Sequence, residues 1–155
     1  MNLLALDVGD RRVGVAVSDD MGIIATPLEV VHRKSKAQDF CRIVALIRDQ
    51  GAAGLVVGHP LNDDGSAGPQ AQRTERYVAA LAGALRAEGL DLPITFWDER
   101  FSTQRAEEVM GPSRRRARPH SGRLDAVAAA IILQDYLDEQ RPPVAPPEED
   151  GTWTL

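Results

Sequence analysis

Four carboxylates stand where this chain turns, and their surroundings suit oxygen-ligand chemistry. Asp7 sits near the tip of an apolar run within NLLALDVGDRRVGVAVSD, Asp98 and Glu99 end a second run, ITFWDE, and Asp125 lies at the start of a long helical segment. In a strand the side chains alternate, so Leu3, Ala5 and Asp7 point to one face and Leu4, Leu6 and Val8 to the other. Both faces are apolar, which predicts an internal strand. Gly9 to Arg12 read as a tight turn, and Val13, Val15 and Val17 then alternate with Gly14, Ala16 and Ser18 on a returning strand. One face of that second strand is nearly bare. Beside Asp7 it leaves room for a hydrated metal ion or a nucleic-acid backbone to reach the carboxylate.

Two other readings of Asp7 stand at this point. An Asp beside a Gly is an ordinary turn former. D-x-G before a hairpin also resembles the first phosphate loop of actin-like and sugar-kinase ATPases. The length of 155 residues suits one domain, not the paired domains of such an ATPase. Eighteen basic residues stand against 23 acidic ones, a formal charge of −5, so nucleic-acid binding must rest on a local patch. One cysteine, Cys41, excludes an internal disulfide and a cysteine-based metal site, and its place in an apolar helical pattern predicts burial. The N-terminal apolar run is too short for a signal peptide and no later stretch spans a bilayer, so the expected location is the cytoplasm, away from membranes.

The elements that must position the acids follow in order. A turn at Asp19–Gly22 leads to a third strand over Ile23–His32, which Pro27 places towards a sheet edge. Ser35 caps a helix to about Gln50, with Phe40, Ile43, Val44 and Ile47 on one face, and Gly51 ends it. GLVVG, Gly54–Gly58, reads as a buried strand parallel to the first. A polar loop over His59–Gly68 precedes a helix over about Pro69–Glu88, with Thr74, Val78, Leu81, Ala82 and Leu85 in register. Ile94–Glu99 is the fifth strand, with Asp98 on the face of Ile94 and Phe96 and Glu99 on that of Thr95 and Trp97. Asp98 is on this basis the cleaner inward partner, and a kink at the strand end would exchange the two.

A short helix from Ser102 or Thr103 to Met110 precedes GPSRRRARPHSG, read as a mobile loop. The last helix, Arg123 to about Glu139, carries Leu124, Val127, Ala128 and Ile131 on one face and Asp125 on a neighbouring stripe with Ala129, Ile132 and Tyr136. An acid in a first turn is also favoured by the helix dipole without any function. Residues 1–139 thus form one domain, and residues 140–155, rich in proline and acid, a disordered tail that exposes Trp153.

With its acids at the ends of the first and fifth strands and at the head of the last helix, the chain resembles the YqgF family, also called RuvX, of Holliday-junction resolvases and pre-16S ribosomal RNA nucleases. The resemblance runs from Leu3 to Leu137 through LDVGDRRVGVAVSD, VVGHPLNDDGSAGPQA, WDERFSTQRAE and LDAVAAAIILQDYL. It implies an α/β, ribonuclease H-like fold: a mixed five-stranded sheet with three antiparallel N-terminal strands and helices on both faces. It also implies a catalytic set of Asp7, Asp98, Glu99 and Asp125 that holds divalent metal, with Asp7 as the central ligand and Asp98 and Asp125 beside it. His59 departs from the family pattern, in which leucine is common at that position.

Phosphodiester hydrolysis requires an activated water, shielding of the phosphate and a stabilised leaving oxygen, and two Mg2+ or Mn2+ ions about 4 Å apart supply all three. Such hard ions take oxygen ligands. On this reading Asp7 bridges both ions, Asp98 or Glu99 holds one and Asp125 the other. Arg114, Arg115, Arg116 and Arg118 are placed to track a phosphate backbone, and Arg11, Arg12 and Arg100 serve either phosphate or internal pairing. The Asn62–Gly68 loop lines the cleft through backbone N–H groups or is simply a turn. His59 reads as a turn or surface residue, and His120 as a solvent-exposed loop residue or a group for proton transfer. The expected function is a metal-dependent nuclease on structured nucleic acid, either pre-16S rRNA or branched DNA. A ribosome-assembly factor with little turnover is the alternative. A homodimer is expected by analogy with symmetric junction cleavage.

Overall fold

The computed structural model describes residues 1–100 and 123–142. The elements are β1 (Asn2–Val8), β2 (Arg12–Ser18), β3 (Ala25–His32), α1 (Lys36–Gln50), β4 (Ala52–His59), α2 (Pro69–Ala87), β5 (Ile94–Asp98) and α3 (Arg123–Gln140). One five-stranded sheet runs in the order β3-β2-β1-β4-β5, with β1, β2 and β3 antiparallel and β4 and β5 parallel to β1. The expected short helix after Ser102, the arginine loop and the C-terminal tail lie outside the described residues.

Alternation along the strands divides the core in two. Leu4, Leu6, Val8, Val13, Val15, Leu55 and Val57 face α1 and α2, where Phe40, Ile43, Ile47, Val78, Leu81 and Leu85 meet them. Ala5, Ala16 and Val56 face α3 and meet Ala129, Ala130, Ile132, Leu133 and Leu137. The first interface is built of large aliphatic side chains and the second of small ones, so α3 lies close against the sheet. Ser35 caps α1, its side chain accepting from the Gln38 N–H, and Gly51 closes it in the left-handed conformation at φ 61°.

The first turn of α3 comes against Gly14, where a Cβ would collide with the backbone carbonyl of Asp125. Gly14 is the register partner of Asp7. The missing side chain therefore lets the first turn of α3 settle directly beside the end of β1. Farther along α3, Gln134 accepts from the Ala25 N–H at 2.9 Å and donates to the Ile23 carbonyl at 2.8 Å, tying the helix to the entry of β3.

The structure selects the buried stripe of α3 and corrects the expected burial of Cys41. The buried face of α3 is formed by Ala126, Ala129, Ala130, Ile132, Leu133 and Leu137, whereas Leu124 is exposed and Val127, Ala128 and Ile131 are half-buried. This helix is apolar almost all round, so periodicity offers several stripes and the small side chains of the sheet select one. Cys41 is exposed rather than packed, because one step of about 100° from Phe40 carries it off the stripe that α1 buries.

A Gly14→Ala substitution is expected to cost about 1–3 kcal/mol, as overpacking of a tight contact does. It will also displace the first turn of α3. Thermal unfolding measures the first effect, and faster amide hydrogen exchange in the first turn of α3 measures the second.

Candidate active site

Asp7 and Glu99 form the centre of the site. Asp7 lies on the α3 face near the end of β1, opposite Gly14. Glu99 follows β5 and reaches the same face past Gly58, where a Cβ would meet its carboxylate and the side chain of Ile132. Two glycines thus make the room in which the carboxyls meet. Each residue keeps some solvent-accessible surface, although the packing around its carboxyl is dense.

Burial pushes both carboxyls above the usual carboxylate range. For Asp7 it outweighs the hydrogen bond from Glu99, which acts downward, and the charge of Asp125 adds to the rise. For Glu99 burial is joined by the charge of Asp7, by the hydrogen bond to it and by the charge of Asp98. The directions fit one arrangement: Glu99 keeps a proton and donates it to the Asp7 carboxylate. Two carboxyls that share a proton in a desolvated place are poised to exchange it for a cation.

Asp125 comes from the first turn of α3 and is close enough to raise the Asp7 carboxyl. Its Oδ2 lies 3.0 Å from Nε of Arg12, a charge contact without the alignment of a hydrogen bond. Arg12 opens β2, so β1, its hairpin partner, β5 and α3 all contribute to this end of the sheet. Among the described residues no three acid, histidine or cysteine side chains close around a single point. The carboxylates are instead engaged in pairs, Asp7 with Glu99 and Asp125 with Arg12. Their donor set, hard carboxylate oxygens, fits magnesium or manganese.

Asp98 lies elsewhere. Alternation does put it with Ile94 and Phe96, but that face carries α2, whereas Asp7 faces α3. The expectation that Asp98 is the cleaner inward partner is corrected by this placement: the face of β5 could be read, but not which helix layer covers it. Arg100 binds Asp98 through its backbone N–H at 3.0 Å, Nε at 2.9 Å and Nη2 at 2.6 Å. These hydrogen bonds hold the Asp98 carboxyl below its ordinary range. Arg100 also donates from Nη1 to the Asp63 carbonyl at 2.9 Å, so it joins β5 to the loop after β4.

That loop uses its own donors. The backbone N–H groups of Asn62, Gly65 and Ser66 bond to the Ser66 carbonyl, the Asn62 carbonyl and Asp64 Oδ1, which favours the turn over the phosphate cradle. His59 ends β4, bonds Glu75 at 2.8 Å and packs against Phe96 with ring centroids 4.8 Å apart. It lies on the α2 side, away from the Asp7–Glu99 pair. Arg11 is exposed in the hairpin turn. His120, Arg114, Arg115, Arg116 and Arg118 lie outside the described residues. The role of Gly58 went unread in the sequence, since a glycine in a short apolar strand marks close approach without saying of what.

A family model described as RuvX, Holliday junction resolvase, matches residues 1–139. A protein of Roseiflexus sp. (strain RS-1) named "Putative pre-16S rRNA nuclease" is 42% identical over 139 residues, covering 90% of this chain and 95% of the relative. One of the same name from Symbiobacterium thermophilum is 43% identical over 148 residues, covering 92% and 97%. Among solved structures, T. thermophilus RuvC in complex with a Holliday junction substrate superposes with a TM-score of 0.58 at 17% identity, covering 90% of this chain and 95% of that one. That superposition and the mixed five-stranded sheet with its helices give the ribonuclease H-like α/β fold that the resemblance implied. With a family model spanning residues 1–139 and relatives above 40% identity over nine-tenths of its length, the chain belongs to the RuvX family of Holliday junction resolvases.

Proposed function

We propose that this protein is a divalent-metal-dependent nuclease that hydrolyses phosphodiester bonds in structured nucleic acid, with Asp7, Glu99 and Asp125 as its metal-holding carboxylates. The observation that carries the reading is the desolvated Asp7–Glu99 pair at the end of the central strand, with Asp125 brought beside it by α3. The names of the relatives favour pre-16S rRNA as substrate, and the family description favours branched DNA.

When bound, magnesium or manganese supplies the activated water and the shielding of phosphate charge that this chemistry needs. The chain's own residues prepare the place. Asp7 and Glu99 retain a proton while no cation is present, and Asp125 stays paired with Arg12, so the buried charges are compensated. Arg12 is then a cation within reach of the carboxylates, able to turn towards a phosphate oxygen once Asp125 has another partner. Arg100 fixes the end of β5 through Asp98 and thereby orients Glu99. Asp98 is a positioning residue in this scheme rather than a ligand.

Cleavage of a labelled pre-16S rRNA fragment and of a four-way DNA junction, each with magnesium or manganese, tests the function. Asp7→Asn is expected to lower the rate by roughly 10²–10³-fold, since the lost electrostatic stabilisation is worth several kcal/mol and each 1.36 kcal/mol is tenfold. Binding of both substrates by the wild type without cutting of either would replace the nuclease with a nucleic-acid-binding assembly factor. Glu99→Gln should match Asp7→Asn in its loss of rate, whereas Asp98→Asn should mainly lower the melting temperature. Equal loss of rate at Asp98 with an unchanged melting temperature would reverse that assignment.

Stability in the absence of metal provides a separate readout. A carboxyl that the fold keeps neutral costs nothing below the ordinary carboxylate range, where folded and unfolded chains are both protonated. As pH rises through that range the unfolded chain ionises first, and the folded protein loses stability until the pair itself ionises. The metal-free wild type should therefore lose more thermal stability between mildly acidic and neutral pH than Asp7→Asn does. Magnesium at neutral pH should raise the melting temperature of the wild type and not of the variant. A wild-type melting temperature indifferent to the metal would count against the ligand set.

A further inference from the structure

A cleft of about 180 Å³ opens on the α1–α2 side of the sheet, directly beyond the end of β1, between Gly9, Arg33, Lys36, Gln70, Arg73 and Arg76. We infer that this cleft is a second phosphate subsite, which holds a backbone phosphate of the nucleic-acid strand next to the carboxylates. The inference rests on the nuclease reading for its ligand and deepens it.

Charge is the first observation. The chain as a whole carries −5, yet four cations converge here against two carboxylates, Asp10 and Asp39. A local field of sign opposite to the whole concentrates anions at that place. The cleft is also built rather than incidental. Arg33 donates from Nη1 to the Gly9 carbonyl at 2.8 Å, and its guanidinium carbon stands 4.6 Å from the ring centroid of the buried Tyr77. Its Nε is 3.8 Å from Oδ2 of the buried Asp39, which also accepts from the Lys34 N–H. The cation is held in place by the turn that follows Asp7, so the cleft and the carboxylates share one backbone segment. Arg73 is steered from α2 by Gln70 at 2.7 Å and by Asp10 at 3.6 Å.

Size and lining select the ligand. A volume of 180 Å³ is below the roughly 300 Å³ at which pockets for drug-sized molecules begin. Tyr77 is buried and its ring is covered by Arg33, so the cleft offers no open aromatic face for a base. Arginine and lysine at the tip of a strand suit the phosphate group, whose contacts set register and orientation without reading sequence. The starts of α1 and α2 border the same space, and their dipoles add to the attraction of an anion. Gly9 is two residues beyond Asp7, about 7 Å of extended chain. A strand crossing the carboxylates presents a neighbouring phosphate at that range, since its charges recur every ~3.4 Å of helix axis.

The test is equilibrium binding of a labelled RNA hairpin with a single-stranded 5′ extension to the full chain, without divalent metal, across a salt series. Cleavage of the same RNA with magnesium is followed in parallel. Arg73→Gln combined with Arg76→Gln should weaken binding and lower the log–log salt slope by about 1.4, from about 0.7 per lost contact on single strands. Arg48→Gln with Arg86→Gln removes the same charge from the opposite ends of α1 and α2 and should leave the slope near the wild-type value. Arg73→Lys with Arg76→Lys should restore most of the slope.

An unchanged slope in the first pair, or an equal fall in the control pair, overturns the subsite. Cleavage by the wild type with a slope indifferent to the cleft leaves the nuclease standing and removes the subsite. A cleft-dependent slope in a wild type that never cuts does the reverse.

Discussion

Helix α3 comes against the sheet where a side chain is missing. Gly14 lies opposite Asp7, and the carbonyl of Asp125 rests where its Cβ would be. Any larger residue would hold the first turn of α3 away from the end of β1, and with it the third carboxylate. The small residues on the same face, Ala5 and Ala16, let the rest of α3 pack against the sheet. Gly58 performs the matching service for Glu99 on the other side of Asp7. The site is therefore defined by volume left out of the sheet as much as by the acids placed around it.

Bringing acids together in a desolvated corner is unfavourable, and the fold handles it in pairs. Glu99 is hydrogen-bonded to Asp7 where burial raises both carboxyls, and Arg12 stands against Asp125. Neither arrangement neutralises the corner permanently. A proton can leave such a pair, so under the proposed metal reading the oxygen ligands would have compensation that is exchangeable. Asp98 behaves differently: three groups of Arg100 hold it, and Arg100 is in turn engaged by the loop after β4. That pair is a fixed strut at the end of β5.

The two layers have divided the work. Large aliphatic and aromatic side chains on the α1–α2 side, with Phe40 edge-on to Tyr77 at 5.2 Å, make a rigid support for the central strands. The α3 side carries the carboxylates, and the contact of Trp97 with Tyr136 at 5.7 Å fastens β5 to α3 just before Glu99. The tip of β1 belongs to both layers. Asp7 turns towards α3, and two residues later the Gly9 carbonyl engages Arg33 on the opposite side, so carboxylates and cations flank one short stretch of backbone.

Much of this was determined by the sequence alone, because it is local. Alternation in β1 put Asp7 with Leu3 and Ala5, the bare face of β2 marked where something would come close, and the stripes of α1 and α2 named most of their buried residues, though not Leu46, Ala71 or Tyr77. The same reasoning assigned Asp98 and Glu99 to opposite faces of β5 correctly. Only the tertiary structure decided which face meets Asp7, since that depends on which side of the sheet each crossover passes, and no period within one strand encodes it. It likewise decided which stripe of the nearly uniform α3 is buried, and it assembled Arg33, Lys36, Arg73 and Arg76, which are unremarkable singly, into one cleft. Spacing records neighbours along an element, whereas those residues become neighbours only when separate elements pack.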